Sequence, residues 1–261
     1  LHRSLRRQRQ MCIRDRFNSD FILRSASALR FDTNSNQRLR IDSGGSVTIG
    51  DTATHTFSAH SEGDDLVVGG AGWRGLTIYG EGGGGVIQFA DDGSNRIGQI
   101  LYNHGDNSMD FRVNGNVTRV KIDSSGRVLI GHTATDEREG YNSALQVTGT
   151  GGDDSSITIG RWSNNQSNPA LVFSKSRSTT MGSHSVLTGN EYLGAIQFQG
   201  DDGTNYHVGA SIQARVEAEG AGNDDMPTRL FFNTNRDEAN VANRMIIHGR
   251  GNDYGVKYGG R

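Results

Sequence analysis

Ile41-Asp42-Ser43-Gly44-Gly45-Ser46-Val47-Thr48-Ile49-Gly50 (IDSGGSVTIG) recurs as IDSSGRVLIG at Ile122 to Gly131, an offset of 81 residues with identity at seven of ten positions. A repeat at this spacing marks one structural unit used more than once. The unit reads as a β-hairpin. Leu39 and Ile41, then Val47 and Ile49, recur at the two-residue period of a strand and are expected to point inward together. Between them Asp42-Ser43-Gly44-Gly45 supplies side-chain turn bonding and glycines able to take positive φ. The second copy sets Val120, Ile122, Val128 and Ile130 around Asp123-Ser124-Ser125-Gly126. Arg38-Leu39-Arg40 leads into the first copy and Arg119-Val120-Lys121 into the second; Thr52 to Thr54 and Thr133 to Thr135 follow them. Each copy closes on a glycine, Gly50 or Gly131, where the strand is expected to halt.

Two further repeat families interleave with the hairpins. Gly85-Val86-Ile87-Gln88-Phe89 precedes Asp91-Asp92-Gly93-Ser94-Asn95, and Gly194-Ala195-Ile196-Gln197-Phe198 precedes Asp201-Asp202-Gly203-Thr204-Asn205. Each predicts strand, acidic turn, strand. Leu29-Arg30-Phe31, Met109-Asp110-Phe111 and Leu230-Phe231-Phe232 each lead through an Asn-rich turn to a strand opened by Arg38, Arg119 or Arg244. The last begins a third, degenerate hairpin (Arg244-Met245-Ile246-Ile247). Val208 to Ala218 alternates strictly and predicts a strand, while glycines interrupt every candidate helix. The expected fold class is all-β: repeated β-hairpins and small β-sheet or sandwich modules. The expected divisions are 17–59 (first shaft-like hairpin repeat), 60–131 (a β module ending in the second hairpin) and 132–261 (a C-terminal β module with the degenerate third repeat).

Composition agrees with a thin core. The 37 glycines in 261 residues are about twice average usage. Leu, Ile, Val and Phe number 55, near the lower limit for a folding chain, and the high net charge typical of disorder is absent. Residues 1–16 (LHRSLRRQRQMCIRDR) differ in kind, with six Arg, the only Cys and no strand patterning. Arg6 to Arg16 resembles the conceptual translation of a transposase-type sequencing adapter, so 1–16 is set aside as non-native, against the alternative of a basic nucleic-acid-binding arm. The natural chain is then expected to open mid-sequence at Phe17, as a fragment. Its 21 basic and 28 acidic residues give a net charge of −7, which argues against phosphate-backbone binding. Without Cys12 there is no thiol nucleophile, disulfide or Cys-based zinc site. No apolar run reaches the roughly 18 residues of a membrane span, so neither nucleic-acid binding nor membrane insertion is expected.

Each candidate for chemistry has a plainer competitor. Asp64-Asp65, Asp91-Asp92, Asp153-Asp154, Asp201-Asp202 and Asp224-Asp225 read as solvated turns; calcium ligands or glycosidase carboxylates are the alternatives. Gly69-Gly70 and Gly82 to Gly85 lack the following helix of a phosphate-binding loop. The eight histidines show no ligand spacing, and no GxSxG elbow is present. Trp73, Tyr79, Tyr141 and Trp162 read first as seals on a thin β core and second as stacking platforms for sugars. No catalytic, cofactor-binding or metal-binding residue is assigned, no cofactor is expected, and the chain is expected not to be an enzyme.

Taken together, the Arg-apolar-x-Ile-x-Ser-x-Gly-x-Val-x-Ile-Gly hairpins at Arg38 to Gly50 and Arg119 to Gly131 resemble the tail-fibre and tailspike-like structural proteins of environmental bacteriophages. Ala144 to Val147 through Arg161-Trp162, Leu171 to Arg177 and Ile196 to Asn205 resemble the knob-like module that often follows such hairpins. The resemblance spans nearly all of 17–261. It implies an elongated homotrimeric fibre in the virion, extracellular after release, touching other tail proteins and a host cell-surface glycan or protein. Such fibres often precede a self-cleaving chaperone with a Ser–Lys dyad; with Lys121, Lys175 and Lys257 as the only lysines, none is read here. The alternative is a bacterial surface adhesin or secreted repeat protein, and a polysaccharide-degrading tailspike ranks below both. A trimer also has a physical rationale, because short hairpins cannot cover their own apolar edges.

Overall fold

The computed structural model describes residues 25, 27–34, 36–50, 63, 65–136, 138, 141–235 and 242–249, and the backbone of 257–258. Residues 1–16, Thr52 to Thr54 and Asp64 lie outside the described residues. The chain is all-β, with no helix among the described residues. They fall into two compact units, within 1–79 and within 80–261.

The first unit holds a four-stranded sheet in the order β1 (Leu29–Thr33), β2 (Asn36–Ile41), β3 (Val47–Gly50), β4 (Leu66–Gly69). The second holds two sheets. One has six strands in the order β10-β9-β8-β7-β6-β5, built from β5 (Gly84–Phe89), β6 (Gly98–Asn103), β7 (Ser108–Val113), β8 (Val117–Ile122), β9 (Val128–Ile130) and β10 (Leu145–Val147). The other is an antiparallel meander of β11 (Tyr192–Asp201), β12 (Tyr206–Val216), β13 (Thr228–Thr234), β14 (Ala242–His248) and β15 (Lys257–Tyr258).

The repeated decapeptide forms the same hairpin twice. Leu39 opposes Ile49 and Ile41 opposes Val47; Val120 opposes Ile130 and Ile122 opposes Val128. In each turn the aspartate Oδ1 accepts two backbone N–H groups, from Gly44 and Ser46 at Asp42 and from Ser125 and Arg127 at Asp123. Gly45 and Gly126 close the turns at φ +97° and +80°, a region open to glycine. Each hairpin then gains a parallel neighbour, with Val47 beside Leu66 and Val128 beside Leu145. The closing glycines do more than halt a strand. A Cβ on Gly50 would lie 2.0 Å from the Gly69 carbonyl oxygen, and one on Gly131 would lie 2.2 Å from that of Thr148. The third hairpin survives as two pairs, Met245–Tyr258 and Ile246–Lys257.

The Phe-containing elements form β1, β7 and β13, and each carries a bulge directly after its phenylalanine. Phe31 opposes Leu39 and Asp32 opposes Gln37; Phe111 opposes Val120 and Arg112 opposes Thr118; Phe232 opposes Met245 and Asn233 opposes Asn243. The skipped residue is Arg38, Arg119 or Arg244, which stands third in its strand rather than opening it as expected: β2, β8 and β14 begin at Asn36, Val117 and Ala242. Two of the three tie back to a threonine across the turn: Arg38 Nε donates to Thr33 Oγ1 at 2.7 Å and Arg244 Nε to Thr234 Oγ1 at 2.8 Å. The middle copy has Val113 in the threonine's place. Asn34 and Asn114 take the left-handed conformation in the turn, at φ 50° and 54°.

One sequence expectation is overturned. The residues expected to point inward do share a face, but in a single chain that face is only half covered: Leu39, Ile41, Val47, Val120 and Val128 are half-buried, and Ile49, Ile122 and Ile130 are exposed. In the six-stranded sheet, opposed residues run Val147, Ile130, Val120, Phe111, Ile100, Ile87 across one row and Leu145, Val128, Ile122, Met109, Tyr102 across the next. Phe111 is 40% exposed, Ile122 37% and Ile130 36%, whereas Leu129 on the opposite face is fully buried. Buried with Leu129 on that side are Gln99, Ser108, Asp110 and Gln146. Asp110 Oδ2 takes Arg112 Nη2 at 2.7 Å and Thr118 Oγ1 at 3.2 Å, Asp110 Oδ1 takes Ser108 Oγ at 3.5 Å, and Gln146 Oε1 takes the Asp136 N–H at 3.1 Å.

The other two sheets repeat the inversion. In the meander, Ile196, Phe198 and Ile247 lie exposed on one face, while Ser211 and Asn233 are buried on the other and bonded to each other at 3.0 Å. In the first sheet, Phe31, Ile49 and Leu66 are exposed and Gln37 is buried. Only Leu129, Leu187, Val216, Pro227 and Phe231 among the described apolar side chains are buried. A satisfied polar face tolerates burial; an apolar face gains free energy only when something covers it.

Candidate functional site

The acidic pairs are turn-builders wherever they are described. Asp91 Oδ1 accepts N–H from Gly93 and Ser94, Asp202 Oδ1 from Thr204 and Asn205, and Asp201 Oδ1 from Gly203. The Asn205 and Thr204 N–H groups hold the Asp202 carboxyl below its usual range, outweighing its partial desolvation. Asp154 likewise accepts from Thr150 and Gly151. A carboxylate committed in this way has less capacity for a cation. Among the described residues no group of three His, Cys, Asp or Glu side chains comes together as a metal site.

The glycine runs end in extended chain. Gly69 closes β4 and Gly84 opens β5. His207 Nε2 meets Asp202 at 3.1 Å, His248 Nδ1 meets Glu217 at 3.2 Å, and the His104 ring stands edge-on to Tyr102; these are three separate places. The aromatic expectation needs correction, because Trp73 is 100% exposed, Trp162 93% and Tyr79 83%. Within one chain they seal nothing.

Tyr141 alone of the four lies in a concave site. Arg138 and Tyr141 exchange backbone hydrogen bonds at 3.0 and 2.8 Å, forming a two-residue bridge. The Arg138 guanidinium lies 3.8 Å above the Tyr206 ring, at the start of β12, and pairs with Asp136 at 2.5 Å. Gln197 and Gln199 occupy the polar face of β11, their amides joined at 2.9 Å. These residues, with Ser143 and Ala195, line a cleft of about 560 Å3. The Asp136 carboxylate offsets the Arg138 charge, leaving ring faces, amides and hydroxyls as the groups a ligand meets. That set suits a polyhydroxylated molecule, whose C–H faces stack on rings and whose hydroxyls bond amides.

Sequence reasoning found Tyr141 and missed Arg138, Gln197, Gln199 and Tyr206. The alternation of Gln197 and Gln199 in β11 and the tyrosine directly after the acidic turn were the available signals. Neither indicates that the chain near Arg138 reaches that edge of the meander. No protein-family profile matches the chain, and no curated protein matches it significantly.

Proposed function

We propose that the chain is a structural module of a bacteriophage tail fibre, assembled as a homotrimer, that contributes to attachment at the host surface. The observation that carries this reading is the half-covered apolar face on all three sheets. A soluble chain rarely leaves so much contiguous apolar surface uncovered unless a partner covers it. Burying a half-exposed Ile or Phe contributes about 1 kcal/mol. A dozen such side chains therefore offset an association cost of about 4–15 kcal/mol. The same face recurs along the chain, which suits a repeating shaft better than a single docking spot.

In this role the chain acts as scaffold and adhesive, and it does no catalysis. It resides in the virion and is extracellular after release, joined to other tail proteins and meeting a cell-surface glycan or protein of the host. The cleft of Arg138, Tyr141, Gln197, Gln199 and Tyr206 is the contact we assign to a glycan. Weak contacts repeated on three chains and several fibres reach high avidity without a tight single site.

Light scattering tests the assembly: the expected mass is three times 28.2 kDa. A stable, folded single chain contradicts the proposal. Attachment is tested on arrays of bacterial surface glycans, where Tyr206→Ala and Arg138→Ala each reduce retention while the trimer mass is unchanged. Equal retention by both variants removes the cleft from the contact.

A further inference from the structure

Residues 151–177 form an unbroken exposed stretch, yet they are not composed like a loop. Ser156-Ile157-Thr158-Ile159-Gly160-Arg161-Trp162 and Ala170-Leu171-Val172-Phe173 carry β-branched and aromatic residues, and Ile157, Ile159, Trp162, Leu171, Val172 and Phe173 are all exposed by about half or more. Among the described residues, no backbone group of 156–176 makes a backbone–backbone hydrogen bond. Extended chain of this composition belongs in a sheet.

The two arms do not pair with each other. Ser163 to Pro169 between them is polar and Asn-rich, and at seven residues longer than the usual hairpin loop. Side-chain anchors fix each arm elsewhere. Asp154 holds the approach to the first through the Thr150 and Gly151 N–H groups. The second is held against β11: Lys175 Nζ lies 3.4 Å from Glu191, Arg177 Nη1 donates to Thr188 at 2.6 Å, and Phe173 packs on Gly194. Each arm thus lacks a strand to pair with among the described residues.

The same unit supplies what each arm lacks. β5 and β11 are edge strands, the latter ten residues long, and an edge strand presents backbone groups that can pair with another chain. One chain thus carries both unpartnered strand-like segments and unpaired sheet edges. Heterologous give-and-take between identical chains leaves neither over where the rotation closes it into a ring.

We propose that Ser156–Trp162 and Ala170–Ser176 are strands that enter sheets of neighbouring copies of this chain, so that the assembly is interwoven rather than three finished subunits set side by side. This rests on the reading that the chain self-assembles, and goes beyond it by naming the segments exchanged and the backbone bonds that join them.

Amide hydrogen exchange on the assembled chain, resolved by peptide, tests it. The amides of 157–161 and 171–175 are expected to exchange about 100-fold or more slower than free peptide. Thr158→Pro and Val172→Pro remove donors that have no partner within the chain. Each is expected to lower the mass to that of one chain while the amides of β12 and β13 stay protected. An assembled protein whose 156–176 amides exchange at the free-peptide rate overturns the inference and leaves self-assembly standing. A single-chain mass with those amides protected places the partner strand in the same chain and overturns it differently. A single-chain mass with them unprotected overturns both readings. Where a proline variant does not fold, exchange on the unaltered chain decides.

Discussion

Ser46-Val47-Thr48-Ile49-Gly50 and Ser156-Ile157-Thr158-Ile159-Gly160 differ by one methylene, Val for Ile, and meet opposite fates. The first includes β3, a central strand bonded to β2 on one side and β4 on the other. The second is extended and exposed, without a ladder bond. Intrinsic strand preference is the same in both, so it does not explain the difference. What differs is the neighbourhood. The 46–50 segment follows a strand and an Asx turn that fold the chain back at once, whereas 156–160 follows the Asp154 turn and meets no strand of its own. Strand formation here is a property of the partner as much as of the segment.

Thr48→Pro gives the largest expected break in that comparison. It removes a ladder hydrogen bond from a central strand and costs about 3 kcal/mol or more, read as a lower urea midpoint of the first unit. Leu129→Ala comes next, at about 2–4 kcal/mol, because it empties the only fully buried leucine of the six-stranded sheet. The adjacent Ile130→Ala is expected to change single-chain stability far less and to weaken assembly, which sedimentation at falling concentration reads directly. Equal losses at 129 and 130 would mean that the apolar face is covered within the chain.

A smaller contrast lies in the twin glycines. Gly50→Ala places a Cβ against the Gly69 carbonyl at a φ of +113° and is expected to cost more than about 1 kcal/mol in thermal unfolding. Gly160→Ala meets only the outer ring of Trp162, at 3.0 Å, and is expected to leave the melting temperature unchanged. The mildest expected pair is Asp123→Asn and Asp42→Asn. Asparagine keeps the Asx turn at both sites, but only Asp123 also pairs with an arginine, Arg127 Nε at 2.7 Å. Asp123→Asn is therefore expected to cost up to about 1 kcal/mol, and Asp42→Asn close to nothing, in the same urea titration.

Acid sharpens the same point about anchors. Desolvation raises the Asp123 carboxyl, but the Arg127 and Ser125 N–H groups and the Arg127 guanidinium outweigh it and hold the carboxyl below its usual range. Glu191 is lowered first by the Thr188 N–H and further by Lys175 and Arg177; Asp106 is lowered by Lys121 and Ser108. Groups lowered in the folded chain stabilise it fully above the ordinary carboxylate pKa of about 4, and that stabilisation is lost as pH falls through the lowered values. The urea midpoint is expected to be flat from pH 7 to 5 and to fall below about pH 4. A midpoint that rises on acidification would contradict these assignments.

Much of the fold was legible because its determinants are local. The Asp-Ser-x-Gly turns, the positive-φ positions Gly45 and Gly126, and the pairs Leu39–Ile49 and Val120–Ile130 all follow from residues within a dozen positions of one another. So does the strand over Val208 to Val216, although a bulge beside Gly209 moves Val208 off the face of Ala210 and Ile212. The candidate cleft was legible only at Tyr141, since it joins residues some 60 positions apart.

By itself, then, the sequence determined which residues make strands, where the chain turns and which side chains share a face. Period-two alternation carries that information because it is a property of neighbouring bonds. Only the tertiary structure decided which face is covered and which strand-like segments find a ladder. Coverage depends on whether a second layer or a second edge arrives from far along the chain. Here the polar groups of Asp110, Gln146 and Ser211 found hydrogen bonds within the chain, with the buried Asn233 Oδ1 left without one, while the apolar faces stayed half covered and the arms at 156–176 unpaired. An apolar surface has no means of satisfying itself, and a strand needs a neighbour to bond.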